Sequence, residues 1–248
     1  MFRALGSADP PEFVQIGERR ARRLEILKHD SWAATAIYED DAGRRHACKF
    51  NRIQQLLFMP MAWVGRRLAD RETRVMRLMA GREGFPTWSG EVRVDGRVLP
   101  NAVAHEWIEG RTFAPWLKVN DGFFPQLLGM VRTLHAHDLA YVDLAKWENL
   151  LVGDDGRPWL IDYQIHVHLP RRRFGRWFLS ALQSADMYHL YRHWGRARPD
   201  QLTPAERSLD RWRPEIVRLA EAAGPFFRGL RLNVLRFFGV ATDDRGKR

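Results

Sequence analysis

Residues 134–164 read LHAHDLAYVDLAKWENLLVGDDGRPWLIDYQ. The run begins as the end of an amphipathic helix, over 134–138. Two short apolar runs, 150–152 and 159–161, flank the turn-forming Gly153-Asp154-Asp155-Gly156, a pattern that predicts a β-hairpin. Asp143 and Asn149 stand on the loop before the hairpin, and Asp162 ends its second strand. Carboxylates and amides at loop and strand ends, held by an apolar hairpin, suit proton transfer or metal ligation better than a core.

N-terminal to this stretch the chain reads as short strands. Residues 1–17, with Pro10-Pro11, predict a loose arm, and the charged 18–23 a short helix. Strand-like runs follow at 24–27, 34–39 and 46–50, the last two joined by a turn at 40–43. Lys49 lies in the third run between apolar neighbours, where a lysine must snorkel or meet an anion. Residues 53–64 are apolar and contain Pro60, and predict an extra helix. An amphipathic helix is expected over 65–80, with Leu68, Val75, Met76 and Met79 as its stripe and Glu72 within it. Two more strands, 91–94 and 98–107, meet at Asp95-Gly96, and 108–110 reads as a connector.

Beyond Gly110 the pattern turns helical. Asp121 is expected to cap a helix running to about 136, with Phe124, Leu127, Leu128, Val131 and Leu134 buried. After Asp162 only helices and loops are expected, at 184–194, 203–211 and 215–223. Thr203-Pro204-Ala205-Glu206 has the form of a capping box with Pro in the first turn. Strands, a connector, then helices around a hairpin make a two-lobed α+β plan. Its parts are an arm (1–17), a small antiparallel-sheet lobe with one helix (18–108) and a helical lobe with a basic tail (109–248).

The order Asp143, Asn149, hairpin, Asp162, with Lys49 on a third strand and Glu72 on the next helix, resembles the protein-kinase-like superfamily over about 24–194. The resemblance implies ATP and Mg²⁺ as ligands and phosphoryl transfer to a hydroxyl. It implies that Asp143 orients the acceptor and takes its proton, that Asn149 and Asp162 hold Mg²⁺, and that Lys49, paired with Glu72, steadies the phosphates. It places Glu106, Trp107 and Ile108 at the connector against the nucleotide base. Ser31 falls in the phosphate-covering loop, where 28–34 contain no glycine but Ser31, Ala33 and Ala34 are small.

Other features depart from the commoner protein-kinase pattern. The gap from Asp143 to Asn149 is one residue longer, Tyr141-Val142 replaces His-Arg, and Tyr163-Gln164 follows Asp162 without Phe-Gly. No Ala-Pro-Glu element follows. In these respects the chain is similar to lipopolysaccharide core sugar kinases, with RIO-type atypical kinases close behind. The resemblance therefore implies a sugar or glycolipid acceptor, or else a protein substrate. The glycine-poor loop keeps open a third reading, a non-catalytic pseudokinase scaffold. His166 and His168 read as surface-strand residues, since two histidines lack a third ligand.

Composition fits an ordinary globular chain of 248 residues, 45% apolar and 28% charged. One cysteine, Cys48, excludes an intramolecular disulfide and fits a reducing, cytoplasmic setting. No signal-like N-terminus is visible, and the longest apolar run, 56–64, is far shorter than the roughly 20 residues of a membrane span. The net charge of +10 is uneven. Residues 1–170 hold 23 basic and 22 acidic residues, whereas 171–248 hold 17 and 8. A basic tail mixed with aromatics, at 170–179 and 225–240, suits anionic membrane headgroups on the inner face of a membrane or an anionic glycolipid, with nucleic acid a further possible partner.

Overall fold

Alternating burial builds a curled antiparallel sheet in the first half of the computed structural model, which describes residues 3–55, 60–169, 175–208, 214, 215, 217 and 218. Its strands are β1 (Phe13–Ile16), β2 (Arg19–His29), β3 (Ala33–Asp40), β4 (Arg45–Asn51), β5 (Trp88–Gly90), β6 (Val92–Val94), β7 (Arg97–Val98) and β8 (Ala102–Glu106). They lie in the order β5-β8-β4-β3-β2-β1-β6-β7. Only Glu91 separates β5 from β6, yet these strands sit at opposite ends of the sheet, so the sheet must curl round on itself. Where it closes, a Cβ on Gly90, at φ +126°, would lie 2.8 Å from the Gly17 backbone. Val14, Ile16, Ala34, Ala36, Tyr38, Cys48, Phe50 and Val92 fill the curl.

Helix α1 (Ala62–Leu78) packs across β4, β5 and β8. Its buried face is Gly65, Ala69, Glu72, Val75 and Met76, so a carboxylate shares the apolar stripe. The chain then passes through β9 (Gly110–Thr112), α2 (Phe123–Ala136), β10 (Leu139–Ala140), β11 (Leu150–Gly153), β12 (Pro158–Leu160), β13 (Val167–His168), α3 (Arg176–Ala197) and the short α4 (Pro204–Arg207). β11 and β12 form the hairpin, extended on its other side by β9. Gly110 makes that pairing possible, because a Cβ there would meet the Val152 carbonyl at 2.4 Å. One core joins the lobes: Val75 and Met76 of α1, and Met79 just after it, pack in the same cluster as Phe123, Leu127, Leu150, Leu160 and Trp194.

Several expectations are corrected. The arm does not reach residue 17, because Val14 and Ile16 bury into the sheet and pair with β2 and β6. Residues 18–23 are not helical, since β2 begins at Arg19. The strand expected over 98–107 is broken, with β7 ending at Val98 and β8 starting at Ala102, and β5 precedes the strand expected at 91–94. Asp121 does not cap α2: Gly122 is the cap and Asp121 pairs with Arg198 at 2.7 Å. Residues 167–168 are a strand paired with β10. Helix α3 starts eight residues before 184, because side chains are buried on several of its faces and no single stripe marks its start. The Thr203–Glu206 capping box forms as expected. Residues 56–59 of the expected extra helix, the end of the helix expected over 203–211, most of 215–223 and all of 225–240 lie outside the described residues.

Candidate active site

Strand pairing aims Lys49 into the cleft. It sits opposite Thr35 of β3 and Val103 of β8, and its ammonium lies 2.8 Å from Asp162 Oδ1 and 3.5 Å from Glu72 Oε2. Burial by itself would pull the Lys49 pKa down. Glu72 and Asp162 outweigh that and hold it above the ordinary lysine value, so the side chain is a fixed cation. Burial has the opposite consequence for Glu72, whose pKa rises to about 7 against the pull of Lys49 and of the Tyr163 N–H. Glu72 Oε2 is buried without a hydrogen bond.

This sets a pH dependence. The folded chain binds the Glu72 proton more tightly than the unfolded chain, whose carboxyl titrates near 4.5. The group's contribution to stability is therefore complete below pH 4.5 and is lost as pH rises to about 7. Glu72→Gln is expected to flatten the fall in thermal midpoint between pH 5 and 7.5, an effect on the order of 1–3 kcal/mol. Parallel midpoint curves for wild type and variant would count against this titration.

The loop that carries Asp143 is fixed from three sides. Asn149 Nδ2 donates to Asp143 Oδ2 at 3.0 Å and to the Asp143 carbonyl at 3.2 Å. Lys146 Nζ donates to the same Oδ2 at 2.7 Å. From below, the fully buried Asp186 of α3 accepts the N–H of Tyr141 at 2.8 Å and of Val142 at 2.7 Å, and its Oδ2 lies 3.0 Å from His135 Nε2. The Tyr141 hydroxyl donates to the Ile161 carbonyl, so one residue ties the Asp143 loop to the strand end that presents Asp162. Val142 and Asp162 both adopt left-handed backbone conformations, at φ 70° and 61°. Such geometry in a non-glycine residue persists only where neighbours enforce it.

Asp186 was not among the residues singled out from sequence. It acts through main-chain amides on a loop more than 40 residues away, and such contacts leave no local pattern. The other expected residues are more loosely gathered. Ser31 sits in the turn between β2 and β3, where its carbonyl accepts from Arg52. The amides of Trp32 and Ala33 donate to Asp30 Oδ1 at 2.7 and 3.0 Å, so this loop already holds a carboxylate of its own. In the connector, Glu106 N–H donates to Thr87 and Trp107 N–H to Arg45. Ile108 makes no backbone hydrogen bond among the described residues. Two clefts, of about 410 and 280 Å³, open beside Arg157 and beside Thr87, and neither is lined by Lys49, Asp143, Asn149 or Asp162.

The donor set suits Mg²⁺. Asn149 spends the N–H groups of Nδ2 on Asp143 and keeps Oδ1, and Asp162 keeps Oδ2 when Oδ1 binds Lys49. These are hard oxygen ligands, few in number, as a cation that retains its waters and binds phosphate requires. Among the described residues no group of three His, Cys, Asp or Glu is placed to hold a metal ion, His166 and His168 included. No described helix is long and apolar enough to cross a membrane.

No protein-family model and no curated protein matches the chain. Solved structures do. The Rio2 kinase–ADP/Mg²⁺–phosphoaspartate complex from Chaetomium thermophilum aligns at a TM-score of 0.54 and 13% identity, over 82% of this chain and 67% of that one. A second Rio2 kinase structure from the same organism aligns at 0.50 and 13%, over 78% of this chain and 65% of the other. At such identity the likeness concerns architecture: the chain has the two-lobed protein-kinase-like fold, an antiparallel-sheet lobe joined to a helical lobe.

Proposed function

We propose that this protein is an ATP- and Mg²⁺-dependent phosphotransferase that moves the γ-phosphate to a hydroxyl. The observation that carries this reading is two side-chain pairs whose segments are tied together by the Tyr141 hydroxyl on the Ile161 carbonyl. Lys49 reaches Asp162 at 2.8 Å, and Asn149 reaches Asp143 at 3.0 Å. In this reading Asp143 orients the acceptor hydroxyl and takes its proton through Oδ1, the oxygen that neither Lys146 nor Asn149 engages. Lys49 meets the nucleotide phosphates, and Glu72 sets its position. Asn149 and Asp162 would hold the metal, which supplies positive charge against the polyphosphate when bound. Glu106, Trp107 and Ile108 would line the base, with Ile108 keeping its backbone groups for it.

The likeness to Rio2 kinases favours the atypical serine/threonine protein kinase over the lipopolysaccharide-type sugar kinase. One observation favours the sugar. Trp116, 79% exposed, makes an edge contact at 5.3 Å with Trp147, two residues before Asn149. An exposed indole packed on the loop that carries Asp143 and Asn149 offers a face on which a ring can stack. The scaffold reading rests on Asp30, whose carboxylate already engages amides of the phosphate-loop turn. Contact of the basic tail with an anionic membrane concerns residues largely outside the described ones. Within 175–179, Trp177 is 81% exposed.

Incubation of the purified protein and a cell extract with γ-labelled ATP separates these readings. Acid-stable label in protein supports the protein kinase, and label in the glycolipid fraction the sugar kinase. Hydroxylamine-labile label on the chain itself points to an acyl phosphate such as the Rio2 complex contains. Absence of any thermal shift with millimolar Mg-ATP would sink the phosphotransferase reading in favour of the scaffold.

A further inference from the structure

The segment that follows Asp162 is held by groups outside the reaction centre. Arg71, on α1 next to Glu72, donates from Nε to the Gln164 carbonyl at 3.0 Å and from Nη2 to the His166 carbonyl. Gln164 Nε2 donates to Asn51 Oδ1 at the end of β4. His166 is buried, with Nδ1 2.6 Å from the Tyr163 carbonyl. Beyond it, Val167–His168 pairs with β10, directly before the Asp143 loop. The few residues after Asp162 are thus pinned to α1, to β4 and to the helical lobe.

The pinning acts next to a left-handed residue. Asp162 holds φ at 61°, a left-handed conformation that a non-glycine residue keeps only where its surroundings compensate. One guanidinium spans two carbonyls, two and four residues beyond Asp162. A planar fork with several fixed donors can do this, and an ammonium on a flexible stem cannot reproduce it. The same turn of α1 sends Glu72 to Lys49 and Arg71 to the segment after Asp162, so phosphate anchor and metal ligand are referred to one rigid helix.

We infer that Arg71 is a positioning residue that locks the 163–166 segment and so presents Asp162 to metal. The inference rests on the phosphotransferase reading and deepens it, adding how the site is kept competent. It follows from the two carbonyls Arg71 takes.

The test measures metal binding apart from turnover. Mn²⁺ affinity, read by electron paramagnetic resonance in the presence of a non-hydrolysable ATP analogue, is expected to weaken about tenfold in Arg71→Ala. Affinity for the metal-free analogue is expected to stay within about threefold. Arg71→Lys should not restore metal affinity, whereas added methylguanidinium should do so in part for Arg71→Ala. Unchanged Mn²⁺ affinity in Arg71→Ala would overturn the inference and leave the phosphotransferase reading standing. Equal loss of metal-free analogue affinity and metal affinity, with no guanidinium rescue, would make Arg71 merely structural. If Arg71→Ala fails to fold, Gln164→Ala, which frees the segment from Asn51, is expected to shift Mn²⁺ affinity in the same direction, and no shift would count against the lock. Failure of wild type itself to bind Mn²⁺ with the analogue would instead sink the phosphotransferase reading.

Discussion

Asp143→Ala is expected to slow phosphoryl transfer by about 10²–10⁴-fold, the range over which a positioned proton acceptor acts. Two losses combine in this variant. The acceptor hydroxyl loses the carboxylate that aligns it. Asn149 Nδ2 also loses one of its two acceptors, Oδ2, while keeping the backbone carbonyl of residue 143 at 3.2 Å. Lys146, now without its partner 2.7 Å away, turns to solvent. Asp143→Asn separates the effects, because it keeps an oxygen for Lys146 or Asn149 yet takes no proton. Both variants should bind Mg-ATP within a few-fold of wild type, since Lys49 and Asp162 form a cluster of their own. Single-turnover transfer and Mg-ATP thermal shift, measured side by side, check this. Wild-type rates in Asp143→Ala would remove Asp143 from the reaction.

The residues that sequence made legible share a property. Asp143, Asn149 and Asp162 are tied to local punctuation, a hairpin turn at 153–156 and the strands around it, so their order is readable without any fold. Lys49 is legible because a lysine between Cys48 and Phe50 in a strand is conspicuous. Glu72 is legible by place in its helix but not by surroundings: Arg71, Thr73 and Arg74 make that stretch look like a solvated face, whereas Glu72 is buried. Arg71 is hidden for the same reason, since its partners are carbonyls, which every residue carries. Two-residue strands such as Val167–His168 show no period at all. The turn at 30–33 reads as glycine-free, but that Asp30 fills its amides depends on a tight return of the backbone that composition does not encode.

Asp186→Ala is expected to destabilise the fold by about 3–5 kcal/mol, the largest stability effect foreseen for a single substitution at this site. Asp186 is fully buried and accepts two main-chain N–H groups, with the His135 ring as a third partner. Truncation leaves the Tyr141 and Val142 amides buried without an acceptor, at about 1–3 kcal/mol each, and removes packing besides. For a chain of this size a loss of that order lowers the thermal midpoint by roughly 10 °C. Activity is expected to fall further than the unfolded fraction explains. Val142 keeps its φ of 70° because its N–H is held, and Asp143 is the next residue, so relaxation of the strained backbone turns the carboxylate away. Asp186→Asn keeps one acceptor oxygen but presents an amide N–H₂ to the second donor, and should lie between. His135→Ala removes only the third partner and should cost less, about 1 kcal/mol. Turnover measured well below each variant's midpoint separates the two effects. A folded Asp186→Ala with wild-type turnover would mean that the Asp143 loop holds its shape without the helix beneath it.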